Sequence, residues 1–338
     1  MMKNDEDRFA PEMSPLVSVV TPFYNTGDYL AECIESVLNQ DYENFEYILH
    51  DNASDDGSTE IALAYARQDS RIIYRRTDRL LTQVENYNQA VSLSADSSKY
   101  IKIVQADDWL YPQCLSKMLA LAESNQKVGL VSSYYLKGVD VEGTGLEYHQ
   151  EVVPGSLACE LQLREGCFMF GSPTSVLYRK AAVKDREQLY AEGHMHEDTE
   201  LAYDILMEWE FGFVHEILSY LRKDEKSISG AVKDYNPQAL DKFIVVNTYG
   251  PVFIKDGYER FWQETVRKYY NDLANGLISG NGLEFVKYHM AGLRSAGIEL
   301  DRYQLARSLF WLLLDLLLNP KKTLGRVYRI SKRKKGDK

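Results

Sequence analysis

Apolar and polar positions come in alternating blocks along the first part of the chain. The run from Val17 to Val20 is mostly apolar and stops at Thr21, which is typical of a strand buried on both faces of a parallel sheet. Residues 30–38 then place apolar side chains three or four positions apart, as an amphipathic helix requires. This pattern predicts a β-strand followed by an α-helix.

The same unit repeats as far as Tyr135. Further strands are predicted at residues 47–49, 72–74, 100–104 and 128–131, and further helices at residues 58–67, 84–93 and 112–123. Such alternation indicates an α/β fold, a doubly wound, mostly parallel, Rossmann-like sheet with helices on both faces. Loops rich in glycine and proline follow, with one more predicted strand at 176–178, and the pattern becomes mainly helical from about Pro237.

These changes of pattern divide the chain into regions. The predicted regions are a flexible N-terminal tail at 1–15, an α/β domain at 16–235, a helical C-terminal region at 236–320 and a basic tail at 321–338.

The charge balance narrows the range of partners. The 338 residues carry 39 Lys and Arg against 50 Asp and Glu, a net charge of −11, which disfavours binding to nucleic acid. The four cysteines form no CxxC pair, so we interpret them as reduced thiols. We find no secretory signal and no run of about 18 apolar residues. The sequence therefore predicts a cytosolic protein.

Polar residues cluster directly after three of the predicted strands. The first strand is followed by residues 21–25 (TPFYN), the second by residues 50–58 (HDNASDDGS) and the fourth by residues 105–109 (QADDW). Ligands of open parallel sheets bind outside the carboxyl ends of the strands. We therefore expect these three loops to open on one crevice.

The adjacent carboxylates of Asp107 and Asp108 suit a cation. Two ionised carboxylates repel each other and are costly to desolvate unless a cation or hydrogen bonds compensate. Mg²⁺ and Mn²⁺ commonly bind through one or two carboxylates plus substrate phosphates. A solvated loop or a helix cap is the alternative for this pair taken alone.

The loop from Asp51 to Ser58 is in part a turn and a helix cap. This leaves Asp51 to accept hydrogen bonds from a ribose or a base.

Four motifs in this order resemble one known family. VSVVTPFYN, the strand that ends in DNASDDGS, YIKIVQADDW and HEDTEL together resemble the family 2 glycosyltransferases with the GT-A fold, over roughly residues 16–230. The resemblance implies an inverting enzyme that uses a nucleotide-diphospho-sugar, most often a UDP-sugar, and a divalent metal, Mn²⁺ or Mg²⁺. The expected acceptor is a hydroxyl of a glycan or of a lipid-linked glycan, in bacterial-type surface polysaccharide assembly.

The resemblance also implies roles for individual residues. Asp108 is the expected metal ligand, Asp107 holds the ribose or the metal region, and Asp198 of the Glu197-Asp198 pair matches the general base. The residues expected to bind the nucleotide are Thr21, Pro22, Phe23, Tyr24, Asn25, Asp51, Asn52, Ser54 and Asp107.

The chain departs from the family pattern at two places. Gln105 stands two positions before Asp107, where the metal motif usually has an acidic residue, which leaves Asp108 as the single strong ligand. Asp224 stands where histidine is usual in the segment LRKDEKSIS. Whether Asp224 takes the role of that histidine stays open.

The proposed chemistry needs these groups for physical reasons. Displacement of a nucleoside diphosphate requires a Lewis acid to offset charge on the leaving phosphate, which Asp108 and its metal supply. A carboxylate on the opposite face of the sugar can deprotonate the acceptor hydroxyl, an effect of roughly 10² to 10⁴-fold. We assign this task to Asp198, with Glu197 orienting it or binding the acceptor.

Two other functions stay open. The segment His194–Asp198 fits five positions of the HxHxDH motif of zinc hydrolases, although Thr199 replaces the last histidine. A transferase-like fold that binds a nucleotide or a glycan without turnover is the second, because a fold alone does not imply catalysis. The joint presence of Asp108 and Asp198 favours an enzyme.

The segment Leu309–Leu318 is apolar nearly all round and precedes a tail with nine Lys or Arg and one Asp over residues 321–338. Ten residues cannot span a bilayer as a helix. The segment either closes the core of the C-terminal region or lies in a membrane interface, where the tail attracts anionic lipids at about 1 kcal/mol per basic residue. The second alternative makes the protein peripheral on the cytoplasmic face of a membrane.

Overall fold

The structure, a computed structural model, describes residues 14–170, 172–191, 197–223, 235–278, 282–319 and 321. They belong to two units, one whose described residues end at Lys223 and one whose described residues begin at Tyr235. The predicted N-terminal tail, apart from residues 14 and 15, and the basic tail, apart from Lys321, lie outside the described residues. The domain boundary predicted at 235 stays a prediction.

The first unit opens with a parallel sheet. Its strands, in the spatial order β3-β2-β1-β4, are β1 (Val17–Phe23), β2 (Phe45–Asp51), β3 (Ile72–Arg76) and β4 (Tyr100–Ile103). The helices that connect them are α1 (Leu30–Leu38), α2 (Ser58–Ala66) and α3 (Gln83–Ser92). All seven residues of β1 are buried, as an apolar run inside a parallel sheet requires. After β3 the chain adds β4 on the far side of β1, so the switch point of the sheet lies between β1 and β4.

The sheet continues with strands of both directions. The further elements are β5 (Trp109–Leu110), α4 (Cys114–Ser124), β6 (Val128–Lys137), β7 (Asp140–Glu142), β8 (Val152–Val153), α5 (Gly155–Glu165), β9 (Val176–Arg179), α6 (Glu197–Leu206) and β10 (Glu210–Leu221). β9 lies antiparallel between β4 and β6, and β10 runs parallel to β6. β5 and β8 pair with β10, and β7 pairs with β6. The predicted α/β fold with a mostly parallel sheet is confirmed, and β10 is a strand that the apolar pattern did not predict.

The apolar face predicted for α1 packs into the main core. Leu30, Cys33, Ile34 and Val37 are fully buried there, in one cluster with residues of β1, β2 and α4. Burial of a side chain of this size contributes about 1.5–3 kcal/mol. This packing fixes the strands and therefore the loops at their carboxyl ends.

The second unit is helical. Its helices are α7 (Pro237–Phe253), α8 (Tyr258–Ile278), α9 (Gly282–Ser295) and α10 (Arg302–Leu318). Phe243 of α7, Tyr269 of α8 and Phe285 of α9 belong to a core of its own, and the rings of Phe243 and Tyr269 stack with centroids 4.2 Å apart. The predicted helical C-terminal region is therefore present as a separately packed unit.

The apolar end of α10 is exposed. Phe310, Trp311, Leu317 and Leu318 expose 60%, 58%, 80% and 72% of their surface. These side chains do not pack in a core as the first of the two predicted alternatives requires. No helix in the described part of the chain is long and apolar enough to cross a bilayer.

Candidate functional site

The loops that follow β1, β2 and β4 leave the sheet at the same edge. The parallel register pairs Phe23 with Asp51 and Val20 with Ile103, so the residues after these strands extend beyond one edge of the sheet. This edge contains the switch point between β1 and β4, where ligands bind in open α/β sheets. The structure thus brings the three predicted polar loops together.

The loops after β1 and β2 are bound to each other. Asn25 Nδ2 donates to Asp55 Oδ1 at 2.8 Å, and Asp55 N donates to Asn25 Oδ1 at 2.9 Å. The backbone amides of residues 25–27 donate to three further side chains of the second loop, which are Ser54, Ser58 and Asp56. The two loops therefore form one rigid surface beside the switch point.

Asp51, the last residue of β2, is completely buried. Its Oδ2 accepts hydrogen bonds from Thr59 Oγ1 at 2.6 Å, Tyr74 OH at 2.8 Å and Arg76 Nη1 at 2.9 Å. Its Oδ1 accepts from Ser54 N at 2.8 Å. Burial by itself raises the pKa of Asp51, but the hydrogen bonds from Thr59, Ser54 and Tyr74 outweigh it and hold the pKa below its ordinary value. Both oxygens therefore have partners within the chain.

The other residues predicted to bind the nucleotide divide into buried and exposed groups. The buried ones are Thr21, Pro22, Phe23, Asn52 and Ser54. Asn52 binds both backbone groups of Leu81, at 2.8 Å and 3.0 Å. Tyr24 is 44% exposed and Asn25 is exposed. Of this group, Tyr24 exposes its ring to a ligand, whereas Asn25 uses its exposed amide to bind Asp55. The buried residues shape the loops that carry these two side chains.

Asp108 follows β4 and is 4% exposed. Thr174 Oγ1 donates to its Oδ2 at 2.6 Å, and Arg222 N donates to its Oδ1 at 3.0 Å. Burial and then the charge of the half-buried Asp107 raise the pKa of Asp108 to about 7. A cation would relieve both effects, because it stabilises the ionised form of each carboxyl.

Arg222 holds the acidic loop from the other side. Its Nε donates to the carbonyl oxygen of Asp107 at 3.1 Å, and its Nη2 donates to Glu32 Oε2 at 2.7 Å. The guanidinium lies 4.3 Å from the ring centroid of Tyr29 and 5.6 Å from that of Trp109. No role was predicted for Arg222, although it lies in the segment LRKDEKSIS. The resemblance of that segment to a family motif was the available signal.

Glu197 and Asp198 form the first turn of α6, and both are half-buried. Thr199 N donates to Asp198 Oδ1 at 2.7 Å. Burial raises the pKa of Tyr178 and of Tyr190, and the Asp198 carboxylate raises each further. Asp198 therefore lies within electrostatic reach of these two buried hydroxyls.

Tyr87 of α3 links this region to the acidic loop. Burial raises the pKa of Tyr87, and Asp107 and Asp108 raise it further. The ring centroids of Tyr87 and Tyr190 are 5.9 Å apart, so both acidic groups border one buried tyrosine cluster, which we define as Tyr87, Tyr178 and Tyr190. This cluster could not be predicted from local patterns, because its members lie in separate segments.

Some predicted residues lie outside the described residues. These are His194 and His196 of the zinc alternative and Asp224 of the family signature. Within the described ranges, no group of three or more His, Cys, Asp or Glu side chains could hold a metal ion.

Sequence comparisons identify relatives of this chain. Residues 18–186 match the sequence model of the family described as Glycosyl transferase family 2. Glycosyltransferase GlyG of Streptococcus pneumoniae is 35% identical over 123 residues, which cover 36% of this chain and 40% of that protein. TuaG of Bacillus subtilis, whose name proposes a role as a glycosyltransferase in teichuronic acid biosynthesis, is 31% identical over 137 residues, or 39% of this chain and 51% of TuaG. The chain thus spans about half or less of the length of these relatives.

Solved structures share the fold. TarS of S. aureus (residues 1–349), in complex with UDP-GlcNAc, superposes with a TM-score of 0.54 at 15% identity, over 84% of this chain and 89% of that chain. The mannosyltransferase PcManGT from Pyrobaculum calidifontis, in complex with GDP-Man and Mn²⁺, superposes with a TM-score of 0.53 at 15% identity. The superposition covers 97% of this chain and 89% of that chain. These likenesses confirm the predicted GT-A architecture.

Proposed function

Because this chain belongs to glycosyl transferase family 2, we propose that it moves a sugar from a nucleotide-diphospho-sugar to a hydroxyl of a glycan or lipid-linked acceptor. One observation carries the proposal: a buried Asp108 with a raised pKa stands beside Asp107 at the switch point of the sheet. The proposed setting is bacterial-type surface polysaccharide assembly, which the name of the relative TuaG supports.

A divalent metal, Mn²⁺ or Mg²⁺, fits the residues around Asp108. Each oxygen of Asp108 accepts one hydrogen bond and keeps a second lone pair for a cation. Such metals take one or two carboxylates and fill their other positions with water and substrate phosphates. When bound, the metal would offset the charge that develops on the leaving diphosphate. The Mn²⁺ in the PcManGT complex supports this part of the proposal.

Asp198 is the proposed general base. Its place in the first turn of α6 favours the ionised carboxylate, because the partial positive charge of a helix N-terminus stabilises an anion. The hydrogen bond from Thr199 N acts in the same direction. An ionised Asp198 would take the proton of the acceptor hydroxyl as its oxygen attacks the anomeric carbon, and Glu197 would orient Asp198 or bind the acceptor. Attack from the face opposite the diphosphate inverts the anomeric centre.

The nucleoside site is proposed at the bonded loops after β1 and β2. Tyr24 offers an exposed ring for contact with a flat base. Asp51, Asn52 and Ser54 support these loops from within, and a direct contact of Asp51 with the nucleoside would require one of its internal donors to move. We propose a UDP-sugar as the donor, which the TarS complex with UDP-GlcNAc supports, and the GDP-Man complex of PcManGT makes GDP the main competitor.

Calorimetric titration tests the donor class. The full chain is titrated with UDP, GDP and dTDP, each with Mn²⁺ and again with EDTA. We expect one nucleotide to bind, and only in the presence of the metal. Binding that does not depend on metal would contradict the proposed role of Asp108, and the absence of any binding would favour the alternative of a protein without nucleotide-sugar chemistry.

Two variants separate the proposed roles. Asp198→Asn should bind the nucleotide with metal like the wild type and lose transfer by about 10³-fold, because only the base is removed. Asp108→Ala should lose the metal-dependent binding itself. Normal sugar transfer by Asp198→Asn would contradict the assignment of Asp198 as the base.

We further propose that the protein attaches to an anionic membrane surface through the end of its second unit. The exposed Phe310, Trp311, Leu317 and Leu318 of α10 are side chains that enter a membrane interface. The residues that follow in the sequence add the basic charge that attracts anionic lipids. This attachment would bring the protein to the membrane that carries a lipid-linked acceptor.

Sedimentation with vesicles tests the attachment. The full chain should sediment with vesicles that contain anionic lipid at low salt, and the fraction bound should fall as salt screens the tail. A Trp311→Ser, Leu317→Ser variant should bind more weakly at every salt concentration. Equal sedimentation of this variant and the wild type would leave the tail charge alone as the attachment, and a lack of sedimentation would overturn the proposal.

A further inference from the structure

A fully buried lysine lies beneath the proposed metal site. Lys102 of β4 exposes none of its surface. Its Nζ donates to the carbonyl oxygen of Thr174 at 2.6 Å and to that of Val176 at 3.1 Å, and lies 3.8 Å from the sulfur of Met118. A buried ammonium is costly unless each N–H finds an acceptor. Here three acceptors meet that requirement. Thr174 lies just before β9, Val176 is the first residue of β9, and Met118 lies in α4.

By binding these two carbonyl groups, Lys102 holds a short turn in place. Residues Pro173–Ser175 form a 3₁₀ turn that leads into β9. Within the turn, Ser175 N donates to the carbonyl oxygen of Ser172 at 3.0 Å. Thr174 at its centre is completely buried. The backbone of Thr174 is therefore held from β4, and its side chain has a defined position relative to the loop that follows β4.

The hydroxyl of Thr174 accepts one hydrogen bond and donates another. Gln105 N donates to Thr174 Oγ1 at 3.1 Å, so the hydroxyl proton is left for the other neighbour, Asp108 Oδ2, at 2.6 Å. This hydrogen bond to Oδ2 and the one from Arg222 N to Oδ1 together fix the rotation of the Asp108 carboxylate.

We propose that Thr174 is a positioning residue for the reaction, which aims the Asp108 carboxylate at the metal through this hydrogen bond. The inference rests on the proposed function of Asp108. Thr174 is completely buried and acts through Asp108, and Lys102 supports Thr174 by holding the turn. A metal site whose ligand is already oriented binds its ion more tightly, because no rotational freedom of the ligand is lost on binding.

The test compares two substitutions of Thr174 in the full chain. Thr174→Val keeps the shape and removes the hydroxyl, and Thr174→Ser keeps the hydroxyl and removes the methyl group. Mn²⁺ is titrated calorimetrically in the presence of UDP or of GDP, whichever binds to the wild type. We expect the Mn²⁺ concentration at half-saturation to rise about 10-fold in Thr174→Val, as for a lost hydrogen bond to a charged group, and to stay within about 2-fold of the wild type in Thr174→Ser. If Thr174→Val does not fold, Thr174→Cys, with a side chain of similar size and a weak donor, replaces it.

The outcomes are distinguishable. Wild-type Mn²⁺ dependence in Thr174→Val overturns the inference, and so does an equal loss in the Val and Ser variants, because packing would then explain both. Asp108→Ala is measured in parallel. If Asp108→Ala keeps metal-dependent binding, the proposed function of Asp108 fails. If it loses that binding while Thr174→Val keeps it, only the role of Thr174 fails.

Discussion

Two carboxylates, Asp51 and Asp108, occupy the same edge of the sheet, and their surroundings differ. Both are almost completely buried, with 0% and 4% exposure. The oxygens of Asp51 accept from Thr59, Tyr74, Arg76 and Ser54, and its pKa is held low. Asp108 has two donors and a like-charged neighbour, and its pKa is raised to about 7. Burial alone therefore does not identify a functional carboxylate; the set of partners does.

The difference suggests separate tasks. A carboxylate that accepts four hydrogen bonds, as Asp51 does, supports the fold around it. A carboxylate with fewer donors and a charged neighbour is in a less favourable state until a cation arrives.

The largest effect is expected on function, from Asp108→Asn. The amide fits the site, since its oxygen can accept from Arg222 N and its Nδ2 can donate to Thr174 Oγ1. The charge for a metal is lost, so we expect sugar transfer to fall about 10³-fold. In metal-free buffer at pH 8, urea denaturation should give a free energy of unfolding at or above that of the wild type. Asp96→Asn, at an exposed position, is the matched control, and a strong loss of stability in Asp108→Asn would refute the contrast.

Asp51→Asn should act on stability instead. Both oxygens of Asp51 face donors, so any orientation of the amide turns its NH₂ group toward a donor. Removing one partner of a buried charged network costs about 3 kcal/mol. Urea denaturation at pH 7 measures this loss, with the exposed Asp78→Asn as control. A stability equal to that of Asp78→Asn would show that the network around Asp51 contributes nothing to the fold.

The smallest effect is a difference in pH dependence. A raised folded-state pKa at Asp108 means that its contribution to stability is lost as the pH rises from about 4 to about 7. The advantage of Asp108→Asn over the wild type, without metal, should therefore grow over this range and stay constant above it. The lowered pKa of Asp51 has the opposite sign, so the deficit of Asp51→Asn should shrink as the pH falls below about 4. Urea denaturation of both variants and the wild type at a series of pH values measures these differences. If the difference in free energy of unfolding from the wild type changed with pH in the same way for both variants, the assigned pKa directions would be contradicted.

The sequence predicted β1 to β4, β6 and β9, because each contains a short apolar run. β1, β2 and β4 are buried almost throughout, as strands covered on both faces of a parallel sheet are, whereas β3 is buried only at Ile72. β10 was missed, because its buried and exposed positions follow no period of two and its pairing with β6 contains register shifts. The antiparallel direction of β9 could not be predicted, because it depends on the path of the chain before the strand and not on the residues of the strand.

The same distinction applies to the site. Asp107 and Asp108 stand directly after β4, so their place at the edge of the sheet followed from the sequence. Thr174 and Arg222, which bind Asp108, lie 66 and 114 positions further along the chain. Long-range strand pairing brings them there. Their roles could not be predicted, because a local pattern contains no information on distant partners.

The bonds between the loops after β1 and β2 also determine how this surface opens. Three consecutive backbone amides, those of Asn25, Thr26 and Gly27, donate to side chains of the other loop. Loop amides without such partners exchange their protons with water quickly. Here exchange requires the two loops to separate, which breaks all three bonds together. The three amides should therefore share one protection factor, and that factor reports how often the proposed nucleoside surface comes apart.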